Sequence, residues 1–171
     1  GADGLFRRRA LQAAEAAGNA RLAAASTEQL LTKRPTDPAL WRDLARRLAA
    51  STPLNDSDGY ELPGKLIGAA LRAYTLSSTP QDEAEALSLL AQGFAKAEQW
   101  RPALTAYKES LKLADNPDIR ATYETLRAER GFRVTDYKVD TDTVPPRACF
   151  EMSEPVSRTV TDFTSYFTQD P

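Results

Sequence analysis

The sequence predicts a mainly α-helical protein, a solenoid of helix–turn–helix repeats that is followed by a short β segment. The clearest evidence is one complete pattern of spaced apolar and small residues: Leu87, Leu90, Ala91, Phe94, Ala103 and Tyr107. Its first half recurs upstream at Trp41, Leu44, Ala45 and Leu48. Its second half recurs at Ala23, Leu30 and Pro35. After residue 130 apolar residues alternate with polar ones, which is typical of strands.

These spacings are those of the tetratricopeptide repeat, a helix–turn–helix unit of about 34 residues. Each such repeat buries its apolar face against the next, so a chain of this kind builds a binding surface or a spacer. We therefore divide the chain into repeats with a capping helix over residues 1–130 and a β segment over residues 131–171.

The first repeat is predicted from Gly4 to Asp37. Its first helix ends at Gly18-Asn19, and Pro35 closes the second because a proline cannot continue a helix. The apolar stripes of these two helices are Leu5, Leu11 and Ala14, then Leu22, Ala23, Leu30 and Leu31.

The second repeat begins at Pro38, which suits the first turn of a helix, with an aspartate before it as the N-cap. Its Trp41 and the corresponding Leu87 of the third repeat are 46 residues apart, about 12 more than the standard spacing. The extra length coincides with Ser51–Gly59, a stretch rich in turn-forming residues. We expect a surface loop there and a second helix that resumes near Leu62.

The third repeat is the most complete. Gln81-Asp82 can cap its first helix, and Trp100-Arg101-Pro102 makes the turn into its second. Asn116-Pro117 closes the repeat and starts a last helix, Asp118 to Arg130, which Gly131 ends. We expect this helix to cap the solenoid.

Two segments of the tail are predicted to be strands. In Phe132–Val139 the apolar residues change face between Val134 and Tyr137, which indicates either a bulge or burial on both sides. A turn over Asp140–Pro146 leads to a second, half-buried strand with apolar residues at Ala148, Phe150 and Met152. Because two strands are a marginal unit on their own, we interpret the tail as the incomplete start of a β-domain.

The composition excludes several classes of function. A net charge of −2 provides no basic field for nucleic acid. The chain has no histidine and only Cys149 as a cysteine, which removes the usual catalytic triads and the usual metal clusters. No apolar stretch approaches the roughly 18–20 residues of a membrane span. We therefore predict no enzyme activity, no cofactor, no metal and no nucleic-acid partner.

The candidate interaction surface follows from repeat geometry. Certain positions of each first helix face the concave side of such a solenoid, and the polar residues that we select there are Arg8, Gln12, Arg42, Arg46, Ser88 and Gln92. The three arginines could hold a carboxylate, such as a peptide C-terminus. We favour the other interpretation, a moderately charged, solvated groove without a specific ligand.

Two parts of the sequence resemble a known family. Gly131–Asp140, Pro146–Pro155 and Thr161–Phe163 resemble the start of the first macroglobulin-like domain of bacterial alpha-2-macroglobulins. The helical segment Gln99–Leu111 is similar to the segment that precedes this domain in proteobacterial members. The resemblance implies a helical-repeat region that leads into the start of a macroglobulin-like β-sandwich.

That family consists of secreted or periplasmic protease inhibitors, many of which capture the protease through a Cys-x-Glu-Gln thioester. Cys149 is followed by Phe-Glu-Met and departs from this motif, so we expect a small buried or edge thiol there. The resemblance implies a periplasmic or extracellular, non-catalytic N-terminal portion of such an inhibitor. It would serve in positioning or in protein–protein interaction, with proteases engaged through the parent, or with an envelope protein. The alternative is a stand-alone tetratricopeptide adaptor that binds a peptide in its concave groove.

Overall fold

The computed structural model describes residues 4–9, 12, 19–53, 55–159 and 162. The chain divides into two compact units, Gly1–Glu129 and Arg130–Pro171. It is mainly helical, with a short two-stranded antiparallel sheet near its C-terminus. The predicted fold class is confirmed.

Helices that stack in chain order form the first unit. Residues 4–9 and 12 are helical, whereas the predicted stripe residues Leu11 and Ala14 and the break at Gly18 lie outside the described residues. The helices whose two ends are defined are α1 (Ala20–Leu31), α2 (Pro38–Ala50), α3 (Asp56–Leu76), α4 (Pro80–Lys96), α5 (Trp100–Leu113) and α6 (Pro117–Arg130). Each from α1 to α5 packs on its neighbour, and α2 also contacts α4. This is the pairing expected of stacked helix–turn–helix repeats.

Short polar side chains set where the helices begin. Asn19, Asp37 and Thr79 each accept hydrogen bonds from backbone N–H groups in the first turn of the helix that follows, which satisfies donors that have no partner within the helix. A proline occupies the first helical position of α2, α4 and α6, where its missing N–H costs nothing.

The predicted loop Ser51–Gly59 is wrong in its second half. Helix α3 begins at Asp56 rather than near Leu62, because the side chain of Asn55 accepts the N–H of Asp58 and caps the helix there. Pro63 lies inside α3 and does not interrupt the helix. The extra length of the second repeat therefore lengthens its second helix more than its loop.

The core of the helical unit combines leucines with alanines. Leu48 and Leu66 are fully buried at its centre, among alanines of the neighbouring helices. Close approach is required at Gly93 of α4, because a Cβ atom built there would lie 2.8 Å from Cγ1 of Ile67 on α3. The small residues of the sequence thus let successive helices approach closely.

The large aromatic residues lie at the edges of this core. Tyr107 is 4% exposed, whereas Trp41 and Phe94 are half-buried against the central leucines. In helix α6, which we predict to be the cap, Ile119, Tyr123 and Leu126 pack against a cluster that contains Tyr107.

The second unit contains one β-hairpin, formed by β1 (Val134–Asp140) and β2 (Arg147–Met152). Tyr137 pairs with Phe150, and the register shifts between Val134 and Asp136, so that Thr135 is an extra, bulged residue. The bulge returns Val134, which pairs with Met152, to the face of Tyr137. Of the two readings that the sequence left open, the bulge is confirmed.

As a result, the hairpin has one apolar and one mainly polar face. The residues that share the apolar face are Val134, Tyr137, Val139, Ala148, Phe150 and Met152. Most of them are exposed, and so is Cys149, which pairs with Lys138 on the other face. The expected edge thiol is therefore accessible rather than buried.

Candidate interaction surface

The predicted groove residues of the second and third repeats lie on α2 and α4, which contact each other directly. Arg42 and Arg46 are one turn apart on α2, and Glu85 on α4 lies within reach of both side chains. The periodic spacing of the first helices therefore brings together two cations and a carboxylate that are about 40 residues apart in sequence.

Arg42 is held within the helical unit. Its Nη2 lies 3.1 Å from Oδ1 of Asp82, and its Nε lies 3.5 Å from Oε2 of Glu85. The side chain is only 15% exposed. Its Nη1 is buried without a hydrogen-bond partner in the described part of the protein. Both carboxylates thus occupy the positions that a ligand carboxylate would need.

Arg46 extends the same network toward solvent. Its guanidinium donates to Oε1 of Glu85 and lies 3.4 Å from Oδ1 of Asp43. Asp43 in turn accepts from Nε of Arg47 at 2.8 Å. Arg46 is 55% exposed, so it is the accessible cation of the pair on α2. The arginines described on α2 are therefore each paired with carboxylates of α2 or α4.

The remaining predicted groove residues differ in how far they are exposed to solvent. Ser88 is 5% exposed, and its hydroxyl donates to the backbone carbonyl of Glu85 at 2.8 Å. Gln92, one turn further along α4, is half-buried. Arg8 and Gln12 are exposed on helical backbone. The structure brings Arg42 and Arg46 together with acidic partners that were not predicted, and it turns Ser88 into the interior.

A second ion pair was missed by sequence reasoning. Arg21 of α1 donates through Nε and Nη2 to the carboxylate of Asp58 in the first turn of α3, at 3.0–3.3 Å. The two side chains are 12% and 10% exposed. The hydrogen bond to Asp58 raises the pKa of Arg21, and desolvation opposes that shift. The only signal in the sequence is an acidic helix start after Asn55, which does not identify the partner.

Three further properties of the described residues bear on the site. They contain no group of three or more Cys, Asp or Glu side chains arranged to hold a metal ion. Burial raises the pKa of Tyr107, which packs in the core beside α6. No helix within the described ranges has the length and hydropathy to cross a membrane.

Comparison with known proteins gives a likeness of fold. No protein-family model matches the chain, and a search of curated proteins found no match. Among solved structures, it is similar to the N-terminal domain of stress-induced protein-1 (STI-1) from C. elegans, with a TM-score of 0.53 and 12% identity. The match covers 72% of this chain and 93% of that domain. The helical part of the chain therefore has a tetratricopeptide-like fold, an architecture that suits contacts with other proteins.

Proposed function

We propose that the helical unit is a non-catalytic module for protein–protein interaction within a bacterial alpha-2-macroglobulin-like protease inhibitor. The fold supports the interaction role, because stacked repeats present side chains in a fixed array on each face. The resemblance of the Gln99–Leu111 and Pro146–Pro155 segments to that family supports the choice of parent.

The β-hairpin carries this proposal furthest. Its apolar face is exposed to water, and a two-stranded sheet needs further strands or a packed layer for stability. The first domain of a macroglobulin-like protein would supply both. In this proposal the helical unit positions the inhibitor or contacts an envelope protein, in the periplasm or outside the cell.

The coding sequence beyond Pro171 tests the parent directly. We expect it to continue into several β-rich domains, with or without a Cys-x-Glu-Gln motif far downstream. A stop codon within a few tens of residues would contradict the proposal, because no macroglobulin-like domain would then be completed.

An assay for covalent adducts tests the proposal that this chain does not capture proteases. This chain has no thioester motif, so we expect no SDS-stable adduct when it is incubated with a test protease such as trypsin. An adduct that disappears in the Cys149→Ala variant would contradict the non-catalytic, non-capturing role. Cys149→Ser serves as the matched control for the size of the side chain.

The second candidate is a stand-alone adaptor that binds a peptide on the face of α2 and α4. The exposure of Arg46 favours it, because this guanidinium could exchange Glu85 for a ligand carboxylate. A peptide with a free C-terminus should then bind more tightly than its amidated form, and Arg46→Gln should abolish the difference. Equal affinity of the two peptides would exclude a carboxylate clamp.

A further inference from the structure

An open cleft of about 480 Å³ lies between α1, α2 and α3 and contains none of the predicted groove residues. Its floor is apolar, because the buried Leu44 and Leu48 of α2 reach it from below and Trp41 lies beside them. Pockets of this size that are lined mainly by apolar side chains are typical of sites that accept one large apolar group.

Two local features shape this cleft. Nε1 of Trp41 donates to the backbone carbonyl of Pro35 at 2.7 Å, which fixes the indole ring. On the α3 wall, a Cβ atom built at Gly68 meets nothing within 4 Å, so the missing side chain leaves that space open. A fixed aromatic ring beside an open apolar space is a preorganised anchor site.

The charged residues at the rim indicate the chemistry of the ligand. Lys65 and Arg72 are seven residues apart on α3, which places them about two helical turns apart on one wall. Lys65 is bound to Glu61 at 3.1 Å, whereas Arg72 has no carboxylate partner within the described ranges. Glu28 of α1 lies on the opposite wall. The α3 wall therefore offers an unneutralised cation beside an apolar floor.

We propose that this cleft binds a peptide segment of a protein partner, which inserts one large apolar side chain over Trp41 and places a carboxylate beside Arg72. The proposal rests on the interaction function proposed above and adds a second face to it. The cation selects acidic over basic segments, and the volume over the apolar floor suits leucine-sized or aromatic side chains better than small ones.

A random peptide library displayed on phage and selected on the full chain tests this inference. We expect enriched sequences that contain a large apolar residue within a few positions of Asp or Glu. Synthetic peptides of that sequence are then titrated against variants. Gly68→Leu fills the cleft and should weaken binding by at least about tenfold. Gly64→Leu is the matched control, because it lies on the same helix, its Cβ also meets nothing within 4 Å, and it does not line the cleft.

Arg72→Gln keeps the length of the side chain and removes its charge, so it should weaken binding about two- to fivefold, and more at low salt. If Gly68→Leu fails to fold, Arg72→Gln alone tests whether the cleft is the binding site. If enriched peptides bind both variants as tightly as the unsubstituted chain, that result would overturn the cleft as the binding site, but it would not contradict the proposed interaction function. A library without any enriched sequence would overturn the inference as well, and the coding sequence beyond Pro171 would still test the parent independently.

Discussion

Tyr107 shows how one buried residue connects the last repeat with its cap. Its ring is buried in the cluster against which Ile119, Tyr123 and Leu126 of α6 pack. We expect Tyr107→Ala to lower the free energy of unfolding by about 3 kcal/mol or more, because it empties a large aromatic site. Chemical denaturation measures this, and Tyr60→Ala, at a tyrosine that is 91% exposed, is the control. Equal stability of the two variants would contradict the packing described here.

The same tyrosine predicts sensitivity to alkali. Burial raises the pKa of Tyr107 in the folded state above its ordinary value of about 10. The unfolded chain therefore loses this proton first, and the free energy of unfolding falls as the pH rises from about 10 through the folded pKa. We expect Tyr107→Phe to reduce this fall, as measured by denaturant titrations between pH 8 and pH 11. Parallel curves for the parent and the variant would contradict it.

The acidic partners of Arg42 and Arg46 could not be predicted from the sequence. The spacing of the repeat placed both on the first helix of the second repeat, and both lie on α2. Which carboxylates they meet depends on how closely α2 and α4 approach, and Glu85 is 39 residues from Arg46. Local periodicity carries no information on such a distance, so the residues were predicted and their neutralisation was not.

At the scale of the element, the Arg21–Asp58 pair fixes the first turn of α3 against α1. Asp58→Ala would leave a largely buried guanidinium without its partner, so we expect a loss of about 2 kcal/mol in the free energy of unfolding. Glu109→Ala, which breaks the exposed pair with Lys112, is the control and should cost less than about 1 kcal/mol. A loss for Asp58→Ala as small as that of the control would show that the pair does not hold α3 in place.

The contact between α3 and α4 depends on a glycine. Because a Cβ atom at Gly93 would lie 2.8 Å from Cγ1 of Ile67, Gly93→Ala should lower the free energy of unfolding by about 1–3 kcal/mol. Gly64→Ala in α3 has open space and should raise it by about 0.5–1 kcal/mol, since alanine is the better helix former. Thermal melts of the two variants should therefore move in opposite directions. A shift to higher temperature in both would contradict the close approach.

The elements themselves were largely predictable, and their boundaries were less so. A proline and a short polar residue mark the starts of α2 and α6, and both were recognised in the sequence. At α4 the cap is Thr79 rather than the predicted Gln81-Asp82. Helix α5 begins at Trp100, inside the turn that was predicted there.

Helix α3 was placed too late, because its first turn is built from Asp, Ser and Gly, which are also turn-forming residues. Two contacts favour a helix over a loop at Asp56: the cap by Asn55 and the ion pair between Arg21 and Asp58. Only the cap can be recognised from the local sequence.

At the scale of the whole molecule, the two units differ in how they are stabilised. The helical unit buries two clusters of apolar residues, whereas the hairpin exposes most of its apolar residues. We expect amide hydrogens of Val134–Asp140 to exchange much faster than those of Ala103–Leu113 under native conditions. Hydrogen exchange followed by mass spectrometry measures both segments in one experiment. Equal protection would show that the hairpin is stable by itself.

The bulge in the hairpin has a consequence for length variation. Thr135 is the extra residue, and its hydroxyl donates to the backbone carbonyl of Glu151 at 3.1 Å. If it were deleted, Val134 would keep the face of Tyr137 through regular alternation and could still pair with Met152. Removing this one residue therefore leaves the amphipathic pattern intact, whereas removal of a residue elsewhere in β1 inverts the side chains on one side of the cut. We therefore expect that β1 can lose one residue at position 135 without moving its apolar side chains to the polar face of the hairpin.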